Sequence, residues 1–87
     1  MALIRIPSLM RDLTTGQDCI HVPGATVGQV IDALEEMHPG IKDRLLKQGR
    51  LLPGIMVMVD GRRALRGLQE PVGGESEVRF LPVMAGG

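Results

Sequence analysis

Aromatic side chains are nearly absent: Phe80 stands alone, with no Trp and no Tyr. Any core must therefore be built from Leu, Ile, Val and Met. Cysteine is also scarce. A single thiol, Cys19, excludes an internal disulfide and any cluster of metal or iron and sulfur held by cysteines alone. Neither sign of charge is in excess, with ten basic residues against ten acidic. Phosphate binding needs a basic surplus on one face, so nucleic acid is not expected as a partner. The one local basic cluster, Arg62, Arg63 and Arg66, reads as a solvated turn and edge strand. No apolar run approaches the ~18–20 residues that span a bilayer. The opening Met-Ala-Leu-Ile-Arg-Ile-Pro lacks the basic-then-apolar order of a signal segment. A cytoplasmic protein without a membrane partner is the expectation.

What is present suits one small domain. The 87 residues, 44% hydrophobic and 23% charged, are ordinary for a globular chain and leave no room for a second core. Alternation in Ala2–Pro7 sets Ile4 and Ile6 against Leu3 and Arg5 and predicts a strand. Ser8 to Gly16, with Thr14, Thr15 and Gly16, fits a hairpin connection to a second strand at Asp18–Val22, which Pro23-Gly24 ends. Thr26 and Gln29 form a Thr-x-x-Gln capping box. Val27, Val30, Ile31, Leu34 and Met37 then fall on one face of a helix, which His38-Pro39-Gly40 stops. A second helical turn is expected at Ile41–Lys47, with Gln48–Pro53 as a connection. Ile55–Val59 reads as a strand, and Asp60-Gly61 as a hairpin turn into a short edge strand, Arg62–Leu65. Gly67 to Gly74 reads as a loop with one helical turn, and Glu77–Val83 as the final strand with Val78 and Phe80 inward.

One amphipathic helix among these strands covers only one face of a sheet. The expected fold is α+β: a β-grasp with a mixed four- to five-stranded sheet, first and last strands adjacent at the centre, and one main helix on one face. The division is residues 1–83 as the ubiquitin-like domain and 84–87 as a flexible tail.

The tail carries the chemistry. Gly86 and Gly87 lack a Cβ, so the segment can extend through a channel too narrow for side chains. The four residues after Val83 reach roughly 13–14 Å when extended. A partner enzyme can then adenylate the Gly87 carboxylate with ATP, after which it can take up sulfur as a thiocarboxylate or be joined to an amine. In a chain with 12 glycines, two terminal ones arise by chance in roughly one case in 50 (against about one in 200 at average usage). Their weight therefore comes from following the last strand of the fold.

The ending Val78-Arg79-Phe80-Leu81-Pro82-Val83-Met84-Ala85-Gly86-Gly87 resembles that of the ThiS/MoaD-type sulfur-carrier family, which includes the small subunit of molybdopterin synthase and the thiamin sulfur carrier. Ile6-Pro7-Ser8-Leu9, with Arg11 and Thr15-x-Gln17, is similar to the opening of carriers serving cysteine synthesis in actinobacteria. Thr26-Val27-Gly28-Gln29-Val30 and the strand ending in Asp60-Gly61 also fit. Met84 departs from the pattern, since relatives often have a smaller residue there, and this bears on the choice of partner.

The resemblance implies a protein co-substrate rather than a catalyst. A ubiquitin-activating-type adenylyltransferase would form an acyl-adenylate at Gly87, with Ala85, Gly86 and Gly87 in its channel. A rhodanese, a cysteine desulfurase or free sulfide would supply sulfur, and a sulfur-accepting synthase of molybdopterin or cysteine type would consume it. The alternative is a ubiquitin-like modifier joined through Gly87 to lysines. The chain itself binds no cofactor or metal on this reading, and ATP belongs to the partner.

A second candidate is the sheet face away from the helix. If Ile55, Val57 and Val59 face the helix, then Met56 and Met58 face away, with Leu81 and Val83 on the same side. Exposed apolar residues there, extended by Met84, would mark a docking surface. The competing reading is a wrong parity, or cover from the 41–53 segment. Cys19 has no CxxC partner, and only His21 lies near it to activate the thiol. His21 and His38 show neither HxH nor HExxH spacing. All three read as structural or incidental. Gly73-Gly74 does not open a phosphate loop.

Overall fold

The fold is known from a computed structural model that describes residues 1–82. Seven strands and two helices follow one another: β1 Ala2–Arg5, β2 Cys19–Val22, α1 Val27–Met37, α2 Ile41–Leu45, β3 Leu46–Lys47, β4 Arg50–Leu51, β5 Ile55–Val59, β6 Arg62–Arg63 and β7 Glu77–Pro82. Short 3-10 helices at Ser8–Thr14 and Gly67–Gln69 complete the set. Five strands form one sheet in the order β2-β1-β7-β5-β6, and β3-β4 is a separate two-stranded ribbon. β1 and β7 run parallel at the centre; every other neighbour is antiparallel. This is the β-grasp, with the expected central pair.

The sequence explains the long elements. Thr26 is extended and its Oγ1 accepts from Gln29 N at 3.2 Å, so it caps α1 as the capping box requires. The reciprocal bond shifts by one residue: Gln29 Oε1 accepts from Ala25 N at 2.8 Å. Val27, Val30, Ile31 and Leu34 are fully buried. They meet Ile4, Ile20, Val22, Val57, Val59, Val78 and Phe80 from the sheet in one continuous core. Met37 breaks the predicted stripe at 53% exposure. It is the last helical residue, and buried Ile41 and Leu45 of α2 close that end of the core in its place.

Three connections depart from expectation. The link after β1 is a hairpin connection, but it folds as a seven-residue 3-10 helix. Met10 and Thr14 are buried there, and Thr14 Oγ1 donates to Gln17 O at 2.8 Å. The second helical turn ends at Leu45 rather than Lys47, because the chain turns back at Gln48 and Gly49, both at positive φ (54° and 77°), to pair β3 with β4. The expected strand Arg62–Leu65 shortens to Arg62–Arg63. Asp60 and Gly61 do form its turn, at φ 52° and 80°, the left-handed pair that suits a two-residue hairpin.

Asp60 also secures the start of β7. Its carboxylate accepts from Glu77 N at 2.9 Å and from Ser76 Oγ at 2.7 Å, while Ser76 Oγ accepts from Gly73 N at 2.8 Å. These bonds satisfy the buried Ser76 hydroxyl, and they hold the Asp60 carboxyl below its ordinary pKa. The last strand is thus fixed at its origin, along β1 from Glu77 to Arg79 and along β5 from Val78 to Pro82.

Candidate functional site

β7 leads out of the centre of the sheet. Its middle pairs on both sides, Arg79 with Arg5 and with Met58, whereas Leu81 and Pro82 pair only with Met56 and Ile55 of β5. Both end residues are exposed. Val83, Met84, Ala85, Gly86 and Gly87, which carry the predicted tail and part of the predicted docking set, lie outside the described residues.

Two grooves flank this exit. One, of about 340 Å³, is bordered by Arg5, Arg11, Asp18, Arg79 and Leu81. The other, of about 410 Å³, is lined by Pro7, Met10, Ile55, Phe80, Pro82 and Arg44 and is more apolar. Phe80 forms a wall of both while its side chain is 2% exposed.

The parity of the open face is as the alternation predicts. Val57 and Val59 are buried toward α1, and Met56 and Met58 are half-buried on the other side. Leu81, 36% exposed, lies beside Met56 in register. The 41–51 segment contributes α2 and β4, which contact α1 and the two 3-10 helices, and Ile41 and Leu45 join the helix-side core.

That face is not simply apolar. Register sets Cys19, Arg5, Arg79, Met58 and Arg63 side by side in one row across the five strands. Glu77, in the neighbouring row, accepts from Arg5 Nε at 3.1 Å and from Arg79 Nε at 2.8 Å. The two guanidiniums hold the Glu77 carboxyl below its ordinary pKa, Arg79 more than Arg5. Arg5, Glu77 and Arg79 were not among the residues singled out from the sequence, although alternation alone gives them the parity of Met56 and Met58.

The remaining candidates are quickly placed. Cys19 is a half-buried free thiol facing the open side next to Arg5. His21 is exposed on the same strand, and His38 is the C-cap of α1. Arg62, Arg63 and Arg66 surround the hairpin edge with Leu65. Among the described residues no group of three or more His, Cys, Asp and Glu can hold a metal ion, and no helix is long and apolar enough to cross a membrane.

A mixed sheet with a parallel central pair and a single main helix across one face defines the ubiquitin-like β-grasp class. Within that class the chain belongs to the ThiS family, which it matches over residues 4–87. It is 33% identical to the sulfur carrier protein CysO of Mycobacterium tuberculosis over 97% of this chain and 96% of that protein. It superposes on a chain of the Amycolatopsis orientalis BexX/CysO complex with a TM-score of 0.93 at 35% identity, covering all of both chains. Small archaeal modifier protein 3 of Haloferax volcanii is 34% identical over 72% of this chain and 71% of its own length. The protein is accordingly a sulfur carrier and not a catalyst.

Proposed function

We propose that the Gly87 carboxylate is the group that carries sulfur. It attacks the α-phosphorus of an ATP held by a ubiquitin-activating-type adenylyltransferase, releasing pyrophosphate and leaving a Gly87 acyl-adenylate. Sulfide attacks the acyl carbon, the bond to the phosphate oxygen breaks, AMP leaves and the thiocarboxylate remains. If a rhodanese or cysteine desulfurase persulfide attacks instead, the product is an acyl disulfide that a further thiol must reduce. A sulfur-accepting synthase then consumes the thiocarboxylate. Ala85 and Gly86 give Gly87 passage through the partner's channel, and Met56, Met58, Leu81, Val83 and Met84 form the docking surface around the exit.

The observation that carries this reading is the position of β7. The central strand of a sulfur-carrier fold ends at the exposed Leu81 and Pro82, four residues before Gly86-Gly87. In the molybdopterin-or-cysteine choice, the resemblance to CysO favours delivery to cysteine synthesis. On this reading the carrier uses no cofactor of its own, ATP belongs to the activating enzyme, and the route runs in the cytoplasm. Adding a residue after Gly87 tests the reading. The extended chain should no longer support ATP–pyrophosphate exchange by the activating enzyme while its unfolding midpoint is unchanged. Undiminished exchange would refute the assignment of Gly87.

The likeness to an archaeal modifier supports a second reading, conjugation of Gly87 to lysines. It shares the acyl-adenylate and parts from the first at the nucleophile. Covalent ladders on a denaturing gel that disappear when Gly87 is deleted would favour it.

A further inference from the structure

A net charge of zero conceals a charge separation. The outer side of α1 carries Asp32, Glu35 and Glu36 with no basic residue in that helix, and Lys42 of α2 pairs with Asp32 at 2.7 Å. Across the molecule, the open sheet face carries Arg5, Arg79 and Arg63 in one row, with Glu77 bonded to the first two and Asp18 at the border of the same groove. Like charges directly opposite on neighbouring strands weaken a sheet, and Arg5 and Arg79 are such a pair. Glu77 offsets part of that repulsion. Yet it takes only the Nε of each arginine, and among the described residues no other hydrogen bond uses their terminal nitrogens. The side chains are 45% and 51% exposed. Two guanidiniums are therefore oriented by a shared carboxylate and keep their outer donors for something else. Exposed ion pairs of this kind add little to folding, so stability does not account for the arrangement.

We infer that the Arg5–Glu77–Arg79 cluster, with Arg63 beside it, is an electrostatic docking site for an acidic surface on the activating adenylyltransferase. The partner presents carboxylates to the row of guanidiniums, which suits their planar fork, and an apolar hollow to Met56, Met58 and Leu81. This rests on the sulfur-carrier reading and specifies how the carrier is held.

The test is carrier-dependent ATP–pyrophosphate exchange with the activating enzyme, comparing the wild-type chain, the double variant Arg5→Thr/Arg79→Thr, and Asp32→Asn/Glu36→Gln on the far face. The arginine variant should raise the KM for the carrier by about tenfold or more with kcat little changed. Its KM should lose most of the salt dependence of the wild type, and its unfolding midpoint should be equal or higher. The far-face variant should keep the KM within about twofold, since its charges stay outside the contact. An unchanged KM for the arginine variant overturns the docking site. An equal rise in both variants overturns it too, by showing that overall charge is what matters. No exchange with the wild-type chain overturns the carrier reading, and this inference with it.

Discussion

Replacing Phe80 by alanine is the sharpest perturbation of the architecture that holds the tail. Phe80 is the only aromatic residue. It lies on the central strand opposite Val57 and is 2% exposed. The core around it relaxes only partly into the space that truncation leaves. Truncation of a buried phenylalanine costs about 3–5 kcal/mol. The whole stability expected for a chain of this length is about 4–13 kcal/mol. The loss removes about a quarter of that stability at the upper end of the range and all of it at the lower end. With a urea dependence of about 1–2 kcal/mol per molar, its midpoint should fall by about 1.5–5 M. With no Trp or Tyr to report by fluorescence, the transition is followed by far-ultraviolet circular dichroism at the helix band. Phe80→Leu keeps most of the volume and should lose only about 1–2 kcal/mol. A Phe80→Ala protein within about 1 kcal/mol of wild type would refute the placement of β7 at the centre of the core.

Three further outcomes follow from local geometry. Thr26→Ala removes the cap on Gln29 N and should cost about 1 kcal/mol by urea unfolding. Gly24→Ala should cost more than about 1 kcal/mol, because at φ 152° an added Cβ would stand 2.8 Å from Val30 N. The folded carboxyls of Glu35, Asp60 and Glu77 all titrate below their ordinary values of 4.5, 3.8 and 4.5. For Glu35 the main cause is the backbone N–H of Lys42, then that of Gly40. The unfolded chain takes up these protons first, so their contribution is complete above the unfolded values and is lost as pH falls through the folded ones. Lys42 titrates above its ordinary 10.5 because of its bond to Asp32, so its contribution persists below that value and is lost only as pH rises through the folded one. Midpoints should be flat near neutrality and fall at the acid end; a steady decline between about pH 7 and 5 would contradict the assignment.

The sequence carried the long elements because their signals are local. Alternation marks β1, β5 and β7, the Thr26 cap and a 3.6-residue period mark α1, and Asp60-Gly61 has the turn chemistry its backbone needs. The Ser8–Thr14 helix has too few turns for a period, and its buried Thr14 looks like an ordinary turn residue until its hydroxyl is seen bonded to Gln17 O. The β3–β4 ribbon has two residues on each side, below the length at which alternation means anything. Met37 obeys the period and misses the core because the helix ends there. At the site, parity alone placed Met56, Met58 and Leu81 on the open face, and Gly86-Gly87 was read from chemistry. The meeting of Arg5, Glu77 and Arg79 was not legible, because it depends on the parallel register of strands at opposite ends of the chain, which no local pattern encodes.

Intact-mass measurement of the chain after incubation with its activating enzyme, ATP and a sulfide source tests the central claim most directly. The account predicts a mass increase equal to one oxygen replaced by one sulfur, localised by fragmentation to Gly87 and absent when ATP is withheld. An unmodified mass under conditions in which the enzyme consumes ATP on this chain, or a sulfur found on Cys19 instead, would contradict it.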